Sequence, residues 1–198
     1  NFESITGKFG DALNFDGNDY ISTPLDLSEL QEFTISAWYY RDSSSKRIDI
    51  SQSADNNQDR IKLIRHGSGL VYGVLQSGAT SSYATFSEGG IGWNHLVMVY
   101  NGSQESNTGR LKIYNGGQQQ SLTFVGTIPS SAPSISNGLD IGYDKGSGTY
   151  SDGALDEVTV FNRALSAGEI STLYGASDYS RNFTSLNYGT YDFYAYAK

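Results

Sequence analysis

Cysteine is missing from all 198 residues, and that removes several kinds of chemistry at once. Disulfides, thiolate metal centres and cysteine nucleophiles are excluded. A domain without disulfides must be held by its core, with or without a metal, and this suits a bacterial, archaeal or viral exterior. Cations are scarce: 13 Lys and Arg stand against 21 Asp and Glu, for a net charge of −8. That argues against a nucleic-acid backbone as partner and against an anionic membrane surface. No run of apolar residues reaches the length of a membrane-spanning helix, and no signal-peptide pattern opens the chain. The first residue is Asn1 rather than Met, as expected of a processed product or a segment of something longer.

Glycine (23) and tyrosine (15) are abundant, while charged residues make up only 17%. Surfaces of that chemistry bind by stacking and adaptable hydrogen bonds. The length suits one large domain with a well-filled core. Apolar residues recur with period two between Gly, Asn, Asp and Ser turns, the signature of an all-β chain. Ala12–Phe15 and Tyr20–Thr23 read as strands around the turn Asp16-Gly17-Asn18-Asp19. Phe33–Tyr40 alternates most cleanly, with Phe33, Ile35, Ala37 and Tyr39 on one face and Thr34, Ser36, Trp38 and Tyr40 on the other. Arg47–Ser51 and Arg60–Arg65 are weaker strands flanking a polar loop. Leu70–Leu75, Ser82–Phe86 and Trp93–Tyr100 follow. Arg110–Tyr114 leads into Asn115-Gly116, a preferred two-residue hairpin turn, with Gln118–Phe124 as the return strand. Leu139–Tyr143 and Ala154–Phe161 are the last two strands. One helix is expected over Ala167–Tyr174, with Ser166 and Glu169 as a capping box and Gly175 as its C-terminal cap.

Residues 1–175 therefore read as one β-sandwich, and residues 176–198 as a tyrosine-rich extension. Tyr179, Phe183, Tyr188, Tyr191, Phe193, Tyr194 and Tyr196 make that tail too aromatic for a solvated linker. Two readings stand: edge strands packed on the sandwich, or a strand donated to a neighbouring subunit. The sequons at Asn101 and Asn182 are read as unmodified.

Several segments, in order, resemble laminin-G-like domains. They are Gly7–Ile21, Phe33–Trp38, Trp93–Gly102, Leu111–Gly116 and, most specific, Gly153–Ser166 with Glu169, Ile170, Leu173 and Tyr174. The resemblance spans about residues 6–175. It implies a two-sheet antiparallel jelly-roll sandwich of the concanavalin A-like kind with one short C-terminal helix. It also implies a recognition module, often carrying calcium, on secreted proteins, adhesins, enzyme appendages or phage particles. No single ligand follows from it.

Strand alternation puts Asp156 on the face of Val158 and Val160, where a buried carboxylate needs a cation or several donors. Related sandwiches hold calcium between a loop after the first strand and the Asp of the last strand. By that resemblance Asp16 and Asp156 are the expected calcium ligands, with Asp19 and the Gly17 carbonyl as further oxygens. The alternative is that Asp156 accepts hydrogen bonds from backbone amides without a metal. Asp140, Asp144 and Asp152 read as solvated loop residues. The loop Asp55-Asn56-Asn57-Gln58-Asp59 is the candidate for gripping sugar hydroxyls. Tyr143 and Tyr150 are candidate stacking platforms, as are Tyr40, Tyr72 and Tyr83. Trp38, Trp93 and His95 read as packed residues.

Nothing in the sequence recommends catalysis. Sandwich glycosidases place two glutamates on one strand, as Glu-x-Asp-x-Glu or with one further residue, and no such string occurs. Glu29 and Glu32 have the wrong spacing, and neighbours Asp156 and Glu157 point to opposite faces. Gly-x-Ser-x-Gly and the phosphate-binding loop are absent. The expectation is a non-catalytic glycan-binding or adhesion module on a cell exterior or virion. The alternative is a structural protein of a phage particle or extracellular filament that docks through residues 176–198.

Overall fold

Two seven-stranded antiparallel sheets face one another, as the period-two pattern requires. The computed structural model describes residues 3–41 and 47–176. Its strands, in chain order, are β1 (Glu3–Thr6), β2 (Asp11–Asp16), β3 (Ile21–Ser22), β4 (Glu32–Arg41), β5 (Ile48–Ser53), β6 (Arg60–Arg65), β7 (Leu70–Gln76) and β8 (Tyr83–Ser87). Then come β9 (Gly92–Asn101), a short helix α1 (Asn107–Arg110), β10 (Leu111–Asn115), β11 (Gln118–Gln119) and β12 (Thr123–Val125). The chain continues with β13 (Asp140–Ile141), β14 (Tyr143–Asp144), β15 (Thr149–Tyr150), β16 (Asp152–Phe161) and α2 (Ala167–Ala176). The first sheet runs β1-β2-β16-β4-β9-β10-β11 and the second β12-β8-β7-β6-β5-β13-β3, with β14–β15 as a separate hairpin. This is a jelly-roll sandwich with a short helix near the end of the described residues.

The core lies between the sheets. The alternation in β4 sends Phe33, Ile35, Ala37 and Tyr39 inward, where Phe15, Ile50, Ile61, Leu63, Leu75, Met98, Tyr100 and Ile113 meet them. Each fully buried side chain of this size contributes about 1.5–3 kcal/mol relative to exposure. The sheets come so close at Gly73 that a Cβ there would stand 2.9 Å from Ile113 Cδ1 and 3.1 Å from Met98 Sδ. The opposite face of the first sheet is apolar too. Val97, Val99 and Tyr114 receive Leu165 and Ile170 from the C-terminal segment, and Phe161, Ala164 and Leu173 close around them. α2 thereby covers that face. Its start is fixed by the expected box: the Ser166 amide donates to Glu169 Oε2 at 2.8 Å and the Glu169 amide to Ser166 Oγ at 3.3 Å.

The structure corrects several local expectations. The hairpin after β10 turns at Gly116-Gly117, one residue later than Asn115-Gly116. Asn115 pairs with Gln118, and both glycines take the positive φ of a type I′ turn. Gln118–Phe124 is not one strand: Gln118–Gln119 stays in the first sheet, and Thr123–Val125 joins the second. Leu139–Tyr143 is broken at Gly142, whose φ is +88°. α2 runs through Gly175 to Ala176 instead of ending at Tyr174, and α1 is a short helix not foreseen.

The most consequential correction concerns Asp156. It pairs with Trp38, and the next paired residue, Thr159, meets Ser36, so two residues of β16 oppose one of β4. Glu157 takes the extra place with φ +49°. The bulge reverses the alternation beyond it. Val158 and Val160 pack toward the inter-sheet core, whereas Asp156 lies on the outer face with Trp38. Of the tail, residues 177–198 lie outside the described residues, and the readings made of them stay there.

Candidate functional site

With α2 on the first sheet, the outer face of the second sheet is the broad surface left to inspect. Pairing places Lys62 beside Val74 and Ser51, Arg60 beside Gln76 and Ser53, and Ile64 beside Tyr72 and Asp49. Alternate residues of β6, β7 and β8 point outward there and form the floor and one wall of a groove of about 320 Å³. The β14–β15 hairpin forms the other wall with Asp144 and Ser147. Tyr72 and Tyr83 stand 5.7 Å apart, and His66 adds an edge-on ring 6.0 Å from Tyr72.

The floor is organised by charge. Lys62 Nζ donates to Asp144 Oδ2 at 2.6 Å, with the two side chains only 3% and 1% exposed. Ser147 and Ser53 hydroxyls also donate to Asp144, at 2.6 and 3.1 Å. Burial opposes ionisation of Asp144, but Lys62 and the two serines outweigh it and hold the carboxyl below its ordinary value. Burial lowers the Lys62 ammonium against the pull of the same partner. Arg47 grips Asp49 through Nε and Nη2 at 2.6 and 2.8 Å. Burial raises the Asp49 carboxyl, and Arg47 draws it partly back. Arg60 differs. It donates to Gln76 Oε1 and to Asn57 Oδ1, both neutral acceptors, and its Nε is buried without a hydrogen-bond partner.

Of the five loop residues expected to grip a ligand, Asn57 alone lines this groove. Its backbone takes φ +57°, and its Oδ1 accepts from Lys62 Nζ at 3.3 Å. The others are engaged locally. Asp55 accepts from Asn137 at 2.9 Å and sits 3.4 Å from Lys145, Asn56 accepts from the Gln58 amide, and Asp59 accepts from the Gly78 amide. Tyr143 of β14 and Tyr150 of β15 meet each other at 4.5 Å and Tyr20, just before β3, at 4.9 and 6.0 Å, forming a three-tyrosine cluster outside the groove lining. Tyr20 and Tyr150 are 43% and 38% exposed, so the cluster is an accessible aromatic surface.

The residues expected to share a calcium ion do not converge. Asp16 pairs with Asp152, four residues along β16 from Asp156. Along a strand that is roughly 13 Å, several times a calcium–oxygen distance. Asp156 Oδ2 accepts from the Phe9 amide at 3.0 Å and Oδ1 from the Glu157 amide at 2.8 Å. Asp16 Oδ1 accepts from the Asn18 amide in the exposed turn that holds Gly17, with Asp19 half-buried beside it. Among the described residues, no three acidic or histidine side chains cluster as metal ligands. Asp156, Asp16, Asp19 and Gly17 therefore do not form one coordination shell.

Four further residues depart from their expected settings or confirm them. Asp144 and Asp140 are buried, not solvated. Trp93 is half-buried on the surface, edge-on to exposed Tyr40, and is not a core residue. His95 is packed as expected, between Trp38 at 5.1 Å and Tyr174 at 5.9 Å, with Nε2 2.8 Å from Ser36 Oγ.

A laminin-G family model of the concanavalin A-like lectin/glucanases superfamily matches residues 15–171. Comparison with the curated proteins finds no match. Among solved structures, the fold is similar to that of a heptameric SAP-like pentraxin from Limulus polyphemus. The TM-score is 0.57 and the identity 19%, over 81% of this chain and 80% of the pentraxin. It is also similar to the binding domain of botulinum neurotoxin DC in complex with SialylT, at TM-score 0.66 and 14% identity, over 90% of this chain and 45% of that domain. A sialidase from Streptococcus pneumoniae aligns at TM-score 0.57 and 21% identity, over 85% of this chain and 28% of the enzyme. At these identities the likeness is one of fold. The chain spans less than half of the neurotoxin binding domain, and the fold occurs in both binding modules and an enzyme.

Proposed function

The chain belongs to the concanavalin A-like lectin/glucanase superfamily, and from that premise we propose that it is a non-catalytic glycan-binding module acting at a cell exterior or virion surface. The observation that carries this reading is the groove on the outer face of the second sheet. It joins an aromatic wall, Tyr72 and Tyr83, to a floor of fixed polar groups, Asn57, Arg60, Lys62 and Ser147. Saccharides present both surfaces at once: C–H faces that stack on aromatic rings, and hydroxyls that take directional hydrogen bonds. The buried ion pair of Lys62 with Asp144 sets the floor before a ligand arrives, which lowers the ordering cost of binding.

The groove's carboxylates support binding over catalysis. Asp144 is held by Lys62 and two serines, and Asp49 by Arg47. Both are fully buried. Neither is placed to give a proton to a glycosidic oxygen or to attack a sugar ring. The neurotoxin domain with SialylT lends the reading support from outside this chain. The test is a glycan array followed by calorimetric titration of the full chain. Tyr72→Ala is expected to weaken binding about threefold to tenfold, the range of one aromatic contact. Silence across the array would refute the reading.

A second reading, docking to neighbouring subunits through residues 176–198, is favoured by the density of tyrosine in that segment. Deletion of residues 177–198 tests it. Loss of assembly with the sandwich still folded and glycan binding intact supports docking.

A further inference from the structure

We propose that the groove selects glycans that carry a carboxylate, with Arg60 as the specificity-determining residue. The inference rests on the glycan-binding reading and goes one step further, to the class of ligand. It starts from the pairing of charges in a chain whose net charge is −8. Three cations line the groove: Arg47, Arg60 and Lys62. Two of them are neutralised within the protein, Arg47 by Asp49 and Lys62 by Asp144. Arg60 has no carboxylate within ion-pair distance among the described residues. Its acceptors are the amide oxygens of Gln76 and Asn57.

Those two amides act as positioning groups. Gln76 Nε2 donates to the Gly78 carbonyl at 2.8 Å, which turns Oε1 toward Arg60. Asn57 takes a left-handed backbone, and its amide donates to the Ala54 carbonyl at 2.9 Å. The guanidinium is thus fixed in place by neutral oxygens while its charge is left uncompensated. A planar guanidinium matches a carboxylate through two parallel hydrogen bonds, which a hydroxyl cannot reproduce. The remainder of the groove also discriminates. Asp144 lies beside Lys62, so an anion is favoured at the Arg60 end and repelled by the carboxylate side of the hairpin wall. A sugar whose carboxylate faces Arg60 can lay its ring toward Tyr83 and Tyr72. Uronic acids and sialic acids share this chemistry.

The test uses a ligand pair and so needs no variant to begin: an oligogalacturonide and its carboxyl-reduced, neutral counterpart, titrated calorimetrically into the full chain, with a sialylated oligosaccharide as a separate arm. The carboxylated forms are expected to bind about tenfold to a hundredfold more tightly than the neutral form, a range set by charge-assisted hydrogen bonds. The preference should vanish in Arg60→Gln and shrink in Arg60→Lys, which keeps the charge and loses the fork. Which acidic arm binds identifies the acid. Equal binding of acidic and neutral forms, or a preference that survives in folded Arg60→Gln, overturns the inference while the glycan-binding reading stands. Failure to bind either acid or any other glycan overturns both.

Discussion

Acid should destabilise this protein in part through one histidine. His95 is 2% exposed, and burial pushes its imidazole from the ordinary 6.5 down to about 4. The cause is geometric. Nε2 meets Ser36 Oγ at 2.8 Å, while Nδ1 is buried with no partner. A neutral ring with its proton on Nε2 leaves only a bare lone pair unsatisfied, whereas a second proton would bury a charge and an unpaired donor. The folded-state value is the lower one, so the unfolded chain takes up the proton first. Stability from this group is complete above about pH 6.5, declines as pH falls toward 4, and levels off below. Linkage gives a loss of about 2 kcal/mol by pH 5 and about 3 kcal/mol by pH 4. That is a large share of a typical 5–15 kcal/mol. Urea unfolding of the wild type and of His95→Gln between pH 8 and 4 isolates the contribution, because other titrating groups cancel in the difference. The wild type should lose its advantage over His95→Gln in that window. A difference that stays flat with pH would refute the reasoning.

Other side chains give sharper mutational tests. Glu88, its side chain fully buried, sits 2.6 Å from Arg65 Nε and 3.5 Å from Arg41 Nε and accepts from the Tyr39 hydroxyl. Burial lifts its carboxyl to about 7, with the two guanidiniums facing it. Glu88→Ala strands a buried arginine and should cost about 3–5 kcal/mol in urea unfolding; a loss under 1 kcal/mol would contradict the pairing. Asp156→Ala removes the acceptor of two backbone amides and should cost about 1–3 kcal/mol, equally with calcium or with chelator. A loss seen only when calcium is present would return Asp156 to a metal role. Ser166→Ala should cost about 1 kcal/mol in the same assay through the lost cap of α2, and an unchanged midpoint would show that helix packing alone sets the start.

Much of the fold is legible in the sequence because it rests on side-chain period. Phe33, Ile35, Ala37 and Tyr39 fall on the core face of β4 as their alternation requires. The capping box at Ser166 and Glu169 forms as spelled. What failed were features set by backbone geometry. Glycines at 116 and 117 allow two adjacent positive-φ residues, and that moved the turn. The bulge at Glu157 has no compositional mark. A non-glycine residue holds the left-handed position, and one inserted residue inverts the meaning of every later alternation in β16. The face expected for Asp156 inherited that error, while its burial did not: the carboxylate is buried and accepts from two backbone amides.

The groove was harder to foresee because it is made by pairing, not by any one segment. Asn57, Tyr72 and Tyr83 could be named from composition, but Arg60, Lys62 and Asp144 could not be told from ordinary surface charges. One signal was available. Lys62 interrupts Ile61-Lys62-Leu63-Ile64, and in a strand that is apolar on its other face a long cation facing outward needs water or a partner. Its partner lies 82 residues further on, in a hairpin whose Gly-Ser-Gly turn reads as a simple loop. Sequence spacing carries no information about that meeting, and sheet register supplies all of it. The same register explains why the groove is on the second sheet. The chain ends its described course by laying α2 over Val97 and Val99 of β9, so the apolar outer face of the first sheet is spent on stability. The second sheet has polar residues at the equivalent positions, Ser51, Lys62 and Asp49, which gain nothing from a helix and are tied instead to Tyr143, Asp144 and Arg47 by hydrogen bonds and ion pairs.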